Sequence, residues 1–361
     1  MRPAAAALAA SLAVPALAAP PAPAPRVVSA LVPLPSEEAG LGELYRALHA
    51  APELSMQETA TAARLAGRLR ALGFEVTEGV GGTGVVGVLR NGEGPVVMLR
   101  TDLDALPVEE RTGLPFASRA TGKGEDGAPI PVMHACGHDL HMTAWTGAAT
   151  LLARAKGLWR GTLVMVGQPA EEKGAGAARM LKDGLFTRFP RPGYAVALHV
   201  TPELPSGSVG VTPGPAFASV DSVDLTIHGK GGHGAMPHRT VDPVLIAART
   251  VVALQALVSR EKDPFEPAVV SVGSFQAGSK HNVIPPEARL KLTVRAYREE
   301  TRKRLLDGIR RVAAGESIAG GAPKEPDLAI VESTPGVVND VALTERLRAA
   351  FAAALGAADV V

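Results

Sequence analysis

A single cysteine, Cys136, occurs in the 361 residues, so no internal disulfide can staple this chain. Aromatic residues are scarce: 2 Trp, 3 Tyr and 8 Phe, with no stripe on which nucleic-acid bases could stack. Neither sign of charge dominates, because 37 Lys and Arg face 36 Asp and Glu for a net charge of +1, and no basic run stands out. These two absences remove the ordinary support for a nucleic-acid partner. Past the N-terminus no segment reaches about 18 uninterrupted apolar residues, the length that crosses a bilayer, so no membrane span is expected. What remains is 46% hydrophobic and 20% charged, a globular balance, and the length suggests two domains of about 150 residues each.

The N-terminus reads as an address. Met1-Arg2 precedes an Ala/Leu/Val stretch, Ala4 to Ala19, and then Pro20 to Pro25 with its alternating prolines. One charge, a short apolar core and the small-residue site Ala16-Leu17-Ala18 match a secretory signal peptide with a Pro/Ala-rich linker over residues 1–25. Cleavage near Ala18 and export, periplasmic or secreted, are the expectation; the competing reading is a disordered tail on a cytosolic protein. A lone thiol is usually an inert buried hydrophobe, and its neighbours decide whether Cys136 is instead a ligand.

The spacing of apolar residues predicts a helix from Gln57 to Leu72, closed by Gly73, and short apolar strands at Gly84–Leu89, Val96–Leu99, Leu163–Val166 and Ala195–Leu198. Runs this short and apolar predict a sheet buried on both faces, covered by helices at Met142–Ala155 and Ala175–Leu185. That is an α/β pattern, in which ligands bind beyond the carboxyl ends of the strands. Polar clusters sit at those ends: Arg100-Thr-Asp102-Leu-Asp104, Gln168-Pro-Ala-Glu171-Glu172, and His199. Between the first two lies Met133-His134-Ala-Cys136-Gly-His138-Asp139-Leu-His141.

Thiolate, imidazole and carboxylate together suit a borderline divalent ion such as zinc, manganese, cobalt or nickel. Cys136-Gly-His138 places two such groups on one turn, where glycine lets the backbone bend. Adjacent carboxylates repel, so Glu171-Glu172 makes sense where one binds metal and the other acts as a base toward water. Taken singly, the pair reads as a helix N-terminus and His199 as a core histidine; taken jointly, the four clusters point to a metal site.

Phe116 and the stretches Arg100–Pro107, His134–His141, Gln168–Glu172 and Gly229–His238 resemble the M20 metallopeptidase family, and within it the amidohydrolase branch of hippurate hydrolases, N-acyl-amino-acid amidohydrolases and auxin-conjugate hydrolases. The resemblance runs from about Leu41 onward. It implies a zinc-peptidase-like catalytic domain with a central, mostly parallel sheet, over residues 36–215 and 334–361, interrupted at 216–333 by a ferredoxin-like lid that also forms a homodimer. It further implies two divalent metal ions, held by Cys136, His138, Glu172 and His199, with the thiolate bridging. Glu171 would be the general base and Asp102 a supporting residue, in hydrolysis of an N-acyl amino acid by metal-activated water. His233 of the lid would stabilise the oxyanion in a partner's site, and Asn282 and Arg295 would hold the substrate carboxylate. The lid's own pattern agrees: strand Ser222–His228, helix Asp242–Ser259, strands Val269–Gly273 and Leu290–Ala296, helix Glu299–Ala313 and strand Asp327–Glu332 give the order βαββαβ.

The family pattern implies roughly another 70 to 90 residues of catalytic domain, with a further histidine ligand, whereas no histidine follows His281 here. The expectation is therefore weak metal binding and little hydrolysis by this chain. Two other functions compete: a non-catalytic metal- or carboxylate-binding homologue, against which the intact Glu171 speaks, and an M20 exopeptidase of dipeptides. The exopeptidase branches typically show His-x-Asp where this chain has Arg100-Thr-Asp102, and lack Cys-Gly-His.

Overall fold

The computed structural model describes residues 32–124 and 126–361; the signal peptide expected at residues 1–25 lies outside the described residues. Helix α1 (Pro35–His49) opens with Pro35 in its first turn, carries Glu37 and Glu38 near its N-terminus and Arg46 and His49 near its C-terminus, all matched to the helix dipole. Helix α2 (Thr59–Ala71) turns Ala62, Leu65, Ala66 and Leu69 inward, as the spacing predicts. Each buried leucine of this kind contributes about 1.5–3 kcal/mol of transfer free energy.

Seven strands follow in the first half of the chain: β1 (Glu75–Val80), β2 (Gly84–Asn91), β3 (Val96–Asp102), the short hairpin β4 (Thr121–Lys123) and β5 (Pro129–Pro131), β6 (Gly161–Gln168) and β7 (Tyr194–Ala197). Five of them form one sheet in the order β1-β2-β6-β3-β7. The sheet is mixed. β1–β2 and β2–β6 are antiparallel, while β3 runs parallel to both β6 and β7. In the parallel half Asp102 pairs with Gln168 and Arg100 with Ala197, which lines up three carboxyl-terminal strand ends. One face packs against α1, α2 and helix α3 (His138–Arg154) through Leu44, Leu48, Leu65, Leu69, Met142 and Trp145. The other packs against helices α4 (Gly176–Lys182) and α5 (Leu185–Arg188) through Met180 and Leu185.

Three expectations need correction. Helix α3 begins at His138 rather than Met142, because left-handed Gly137 (φ +78°) is its N-cap and the first turn is polar. The helix expected over Ala175–Leu185 is two, broken where Gly184 adopts φ +90°. Burial on both faces holds for β2 but fails for β7, three of whose four residues are exposed: β7 is the end strand, and among the described residues no strand pairs with its outer edge.

The chain then forms β8 (Gly214–Phe217), β9 (Val220–His228), the two-residue β10 (Gly232–His233), helix α6 (Pro243–Ala256), β11 (Ala268–Ala277), β12 (Val283–Ile284), β13 (Glu287–Ala296), helix α7 (Glu299–Ala319), β14 (Asp327–Thr334), β15 (Val337–Asn339) and helix α8 (Val341–Leu355). Asp242 caps α6 by accepting the Val244 and Leu245 N–H groups, the role its sequence position predicts. The antiparallel sheet β11-β13-β9-β14 carries α6 and α7 on one face, over a core of its own that includes Val223, Leu225, Ile227, Leu254, Leu290, Leu292 and Ile309. This strand order is that of a ferredoxin-like unit. Strand β9 also buries Asp221, which receives two hydrogen bonds from Arg302 of α7 at 2.7 and 2.8 Å. Antiparallel β15 and β8 pair where the chain enters and leaves the unit.

Candidate metal centre

The aligned ends of β3, β6 and β7 and the first turn of α3 bring the sequence-predicted groups together. Cys136, His138 and His199 each offer a ligand atom within 4.8 Å of the others, as do His138, Glu171 and Glu172. Gly137 makes this approach possible: a Cβ there would lie 2.5 Å from Cγ2 of Val200, the residue after His199.

The hydrogen bonds fix which imidazole nitrogens face the cluster. His138 is fully buried, and its Nδ1–H donates to the backbone carbonyl of Asp104 at 2.8 Å. That carbonyl can only accept, so Nε2 is turned to the cluster, 3.7 Å from Glu172 and 3.9 Å from Glu171. His199 is arranged alike: its Nδ1–H donates to the Val200 carbonyl at 2.7 Å, and its Nε2 lies 3.4 Å from the Cys136 sulfur. This is the orientation in which a histidine binds metal through Nε2.

Asp102 and His141 are also close to His138, yet their polar atoms are already engaged. One Asp102 oxygen accepts from His141 Nδ1 at 2.7 Å and the other from Arg100 at 2.8 Å, while His141 Nε2 accepts the Val200 N–H at 2.9 Å. Asp102 therefore braces the His199 strand end through His141.

The field at the cluster is negative. Burial works against ionisation of Asp102, but the hydrogen bond from His141 and the Arg100 guanidinium bring its carboxyl down to about 2. His138 is held up at about 9: burial opposes its charge, and the hydrogen bond to Asp104 with the carboxylates of Asp102, Asp104 and Glu172 outweighs it. Burial and the neighbouring Glu172 and Glu171 push the Cys136 thiol up to about 12, and burial raises Glu172. Surroundings that favour a proton on His138 and resist anions at Cys136 and Glu172 favour a divalent cation among them. The residues fit one: among the described residues His138 Nε2 and Glu172 Oε1 are buried with no hydrogen-bond partner, and a sulfur–nitrogen group and a nitrogen–oxygen group of donors meet at His138.

Three further buried groups support the cluster. Asp104 is fully buried and receives the N–H groups of Glu171 and Glu172 at 3.0 Å each. Glu58, equally buried, receives the N–H of Ala170 at 2.7 Å. His49 bridges two carboxylates, Asp139 at 2.6 Å and Glu110 at 3.0 Å, beneath the Cys136 loop. Burial disfavours the His49 charge, but these two hydrogen bonds raise its pKa. Asp104 stands in the Arg-Thr-Asp-Leu-Asp stretch two residues after Asp102, the one clue available for it.

The lid residues are not brought to this cluster. His233 on β10 is exposed and lies beside Asn282, whose carbonyl accepts the Gly234 N–H at 2.9 Å. Arg295 projects from the exposed face of β13, opposite Val269 of β11. Among the described residues none of the three hydrogen-bonds to Cys136, His138, Glu171, Glu172 or His199.

Residues 98–361 match the profile of Peptidase family M20/M25/M40. A hippurate hydrolase of Campylobacter jejuni is 41% identical over 269 residues, 74% of this chain and 67% of that protein. Thermostable carboxypeptidase 1 of Saccharolobus solfataricus is 37% identical over 310 residues, 84% of this chain and 75% of that one. Among solved structures, the Bacillus subtilis YXEP protein, described as a dinuclear metal-binding peptidase of the M20 family, superposes with a TM-score of 0.73 at 34% identity, covering 90% of this chain and 82% of its own.

Proposed function

Because the chain belongs to Peptidase family M20/M25/M40, we propose that it is a metal-dependent hydrolase of amide bonds in N-acyl amino acids of the hippurate type. The observation that carries this is the pair of buried, unpartnered atoms, His138 Nε2 and Glu172 Oε1, beside Cys136 and His199. Cys136, His138, Glu172 and His199 would hold two divalent ions, a stoichiometry supported by the dinuclear Bacillus relative. Bound there, such ions supply Lewis acidity toward the amide carbonyl and make water more acidic.

The chain's own groups do the rest. Glu171, about 40% exposed and beside the cluster, takes a proton from the attacking water and delivers it to the departing nitrogen. Asp102 and His141 hold the His199 strand end in place. The lid's His233 supports the developing oxyanion, and Asn282 with Arg295 grips the substrate carboxylate.

These lid residues are apart from the cluster, which a homodimer joined through the lid would remedy by supplying them from a second copy. Two features support such a dimer. Among the described residues no strand pairs with the outer edge of β11, and α6 exposes Leu245 and Val252, the latter 73% accessible. The apolar stretch Pro243–Glu261 is long enough to cross a membrane by length and composition, but Ile246, Ala247 and Leu254 pack into the lid core. Sedimentation should give twice the chain mass for the wild type and the single mass for Val252→Arg; a single mass for the wild type would remove the dimer, and twice the mass for both would move the interface away from Val252. The signal-peptide reading adds export to the proposal.

Substrate class is tested by loading the protein with zinc, manganese or cobalt and comparing hippurate with glycyl dipeptides. Faster cleavage of hippurate, abolished by a chelator and restored by metal, is the expected result. Faster cleavage of dipeptides would move the protein to an exopeptidase function, which the Saccharolobus carboxypeptidase makes the second reading.

A further inference from the structure

Three consecutive backbone N–H groups in the turn after β6 each end on a carboxylate buried in the core. Ala170 donates to Glu58 at 2.7 Å, Glu171 to Asp104 Oδ1 at 3.0 Å, and Glu172 to Asp104 Oδ2 at 3.0 Å. Ala170 adopts φ +44°, a left-handed conformation uncommon for a residue with a side chain. Successive N–H groups around such a residue form a concave anion-binding nest. Here the anion belongs to the protein.

Asp104 is unusually heavily used. Its Oδ2 also accepts the Ser55 hydroxyl at 2.6 Å, and its own carbonyl fixes His138 through Nδ1. One residue thus sets the backbone of Glu171 and Glu172 and the ring of His138. An aspartate suits this where an asparagine does not, since both oxygens must accept and an amide offers one acceptor. Adjacent carboxylates repel, so their backbone has to be held if both are to stay beside His138 Nε2, at 3.7 Å for Glu172 and 3.9 Å for Glu171.

We propose that Asp104 is a positioning residue for amide hydrolysis: by gripping the Glu171 and Glu172 amides and the His138 ring together, it sets the distance between base and metal-holding groups. The inference rests on the reading of Glu171 as base and of His138 and Glu172 as metal-holding. Glu58, which shares the nest through Ala170 alone, provides an internal reference.

The test uses the full chain with Asp104→Asn and Ser55→Ala. Amide hydrogen exchange in the metal-free protein should be about tenfold or more faster at whichever of Glu171 and Glu172 loses its acceptor in Asp104→Asn, with Ala170, held by Glu58, unchanged. Zinc affinity and kcat for hippurate should each fall about 10–100-fold, with KM within about twofold. Ser55→Ala, which keeps the carboxylate and the fold, should show the same pattern at about threefold. If Asp104→Asn does not fold, Ser55→Ala decides, and wild-type exchange with wild-type zinc affinity in that variant overturns the proposal. Exchange that rises equally at Ala170 and throughout the sheet, with zinc affinity retained, assigns Asp104 to the core and also overturns it. A wild-type chain that neither binds zinc nor cleaves hippurate defeats the reading of the site instead, and the exchange pattern distinguishes the two failures.

Discussion

Glu171→Gln is expected to lower hippurate hydrolysis about 10²- to 10⁴-fold while leaving bound metal unchanged. Glutamine preserves size and the backbone N–H that Asp104 receives, but it cannot take a proton from water. Glu172→Gln should behave differently. Its carboxylate is the more buried one, with an oxygen that finds no hydrogen-bond partner among the described residues, so the loss should appear first as weaker metal binding. The pair of variants, assayed by metal content and by turnover with saturating metal, separates base from ligand. Equal turnover by Glu171→Gln and wild type would remove Glu171 from the chemistry.

The second large effect is on stability. Arg302→Met should destabilise the lid by about 3–5 kcal/mol, because it leaves the Asp221 carboxylate buried without its partner. The guanidinium grips Asp221 with two hydrogen bonds and also reaches Glu299 and Ser333, tying the start of α7 to β9 and β14. Arg302→Met combined with Asp221→Leu should recover much of the loss, since a buried ion pair replaced by apolar groups of similar volume is often neutral or better. Urea unfolding of the two variants measures this. A loss below about 1 kcal/mol in the single variant would show that Asp221 is satisfied some other way.

The residues of the metal centre were legible because each apolar strand run stops where the polar cluster begins. The aligned parallel ends of β3, β6 and β7 turn that linear pattern into one place in space. The lid was legible for a related reason: β9 and β13 alternate inward and outward residues along their length, and Asp242 marks the helix start. The rest was hidden by distance along the chain. Asp104 stands in the polar cluster after β3, but its meeting with Ser55 and the Glu171 and Glu172 amides, like that of Glu58 with Ala170 over a separation of 112 residues, is announced by no local pattern. The start of α3 was misplaced because its first turn is His138-Asp139-Leu140-His141, in which apolar periodicity has nothing to detect. Strand position was equally invisible: four apolar residues at 194–197 look like a central strand, and only the pairing shows β7 at the edge.

That edge bears on the metal centre. His199 follows β7 by two residues, and among the described residues β7 is hydrogen-bonded along one side only, so what fixes this imidazole is its own bond to the Val200 carbonyl and the grip of His141 on the Val200 N–H rather than a second neighbouring strand.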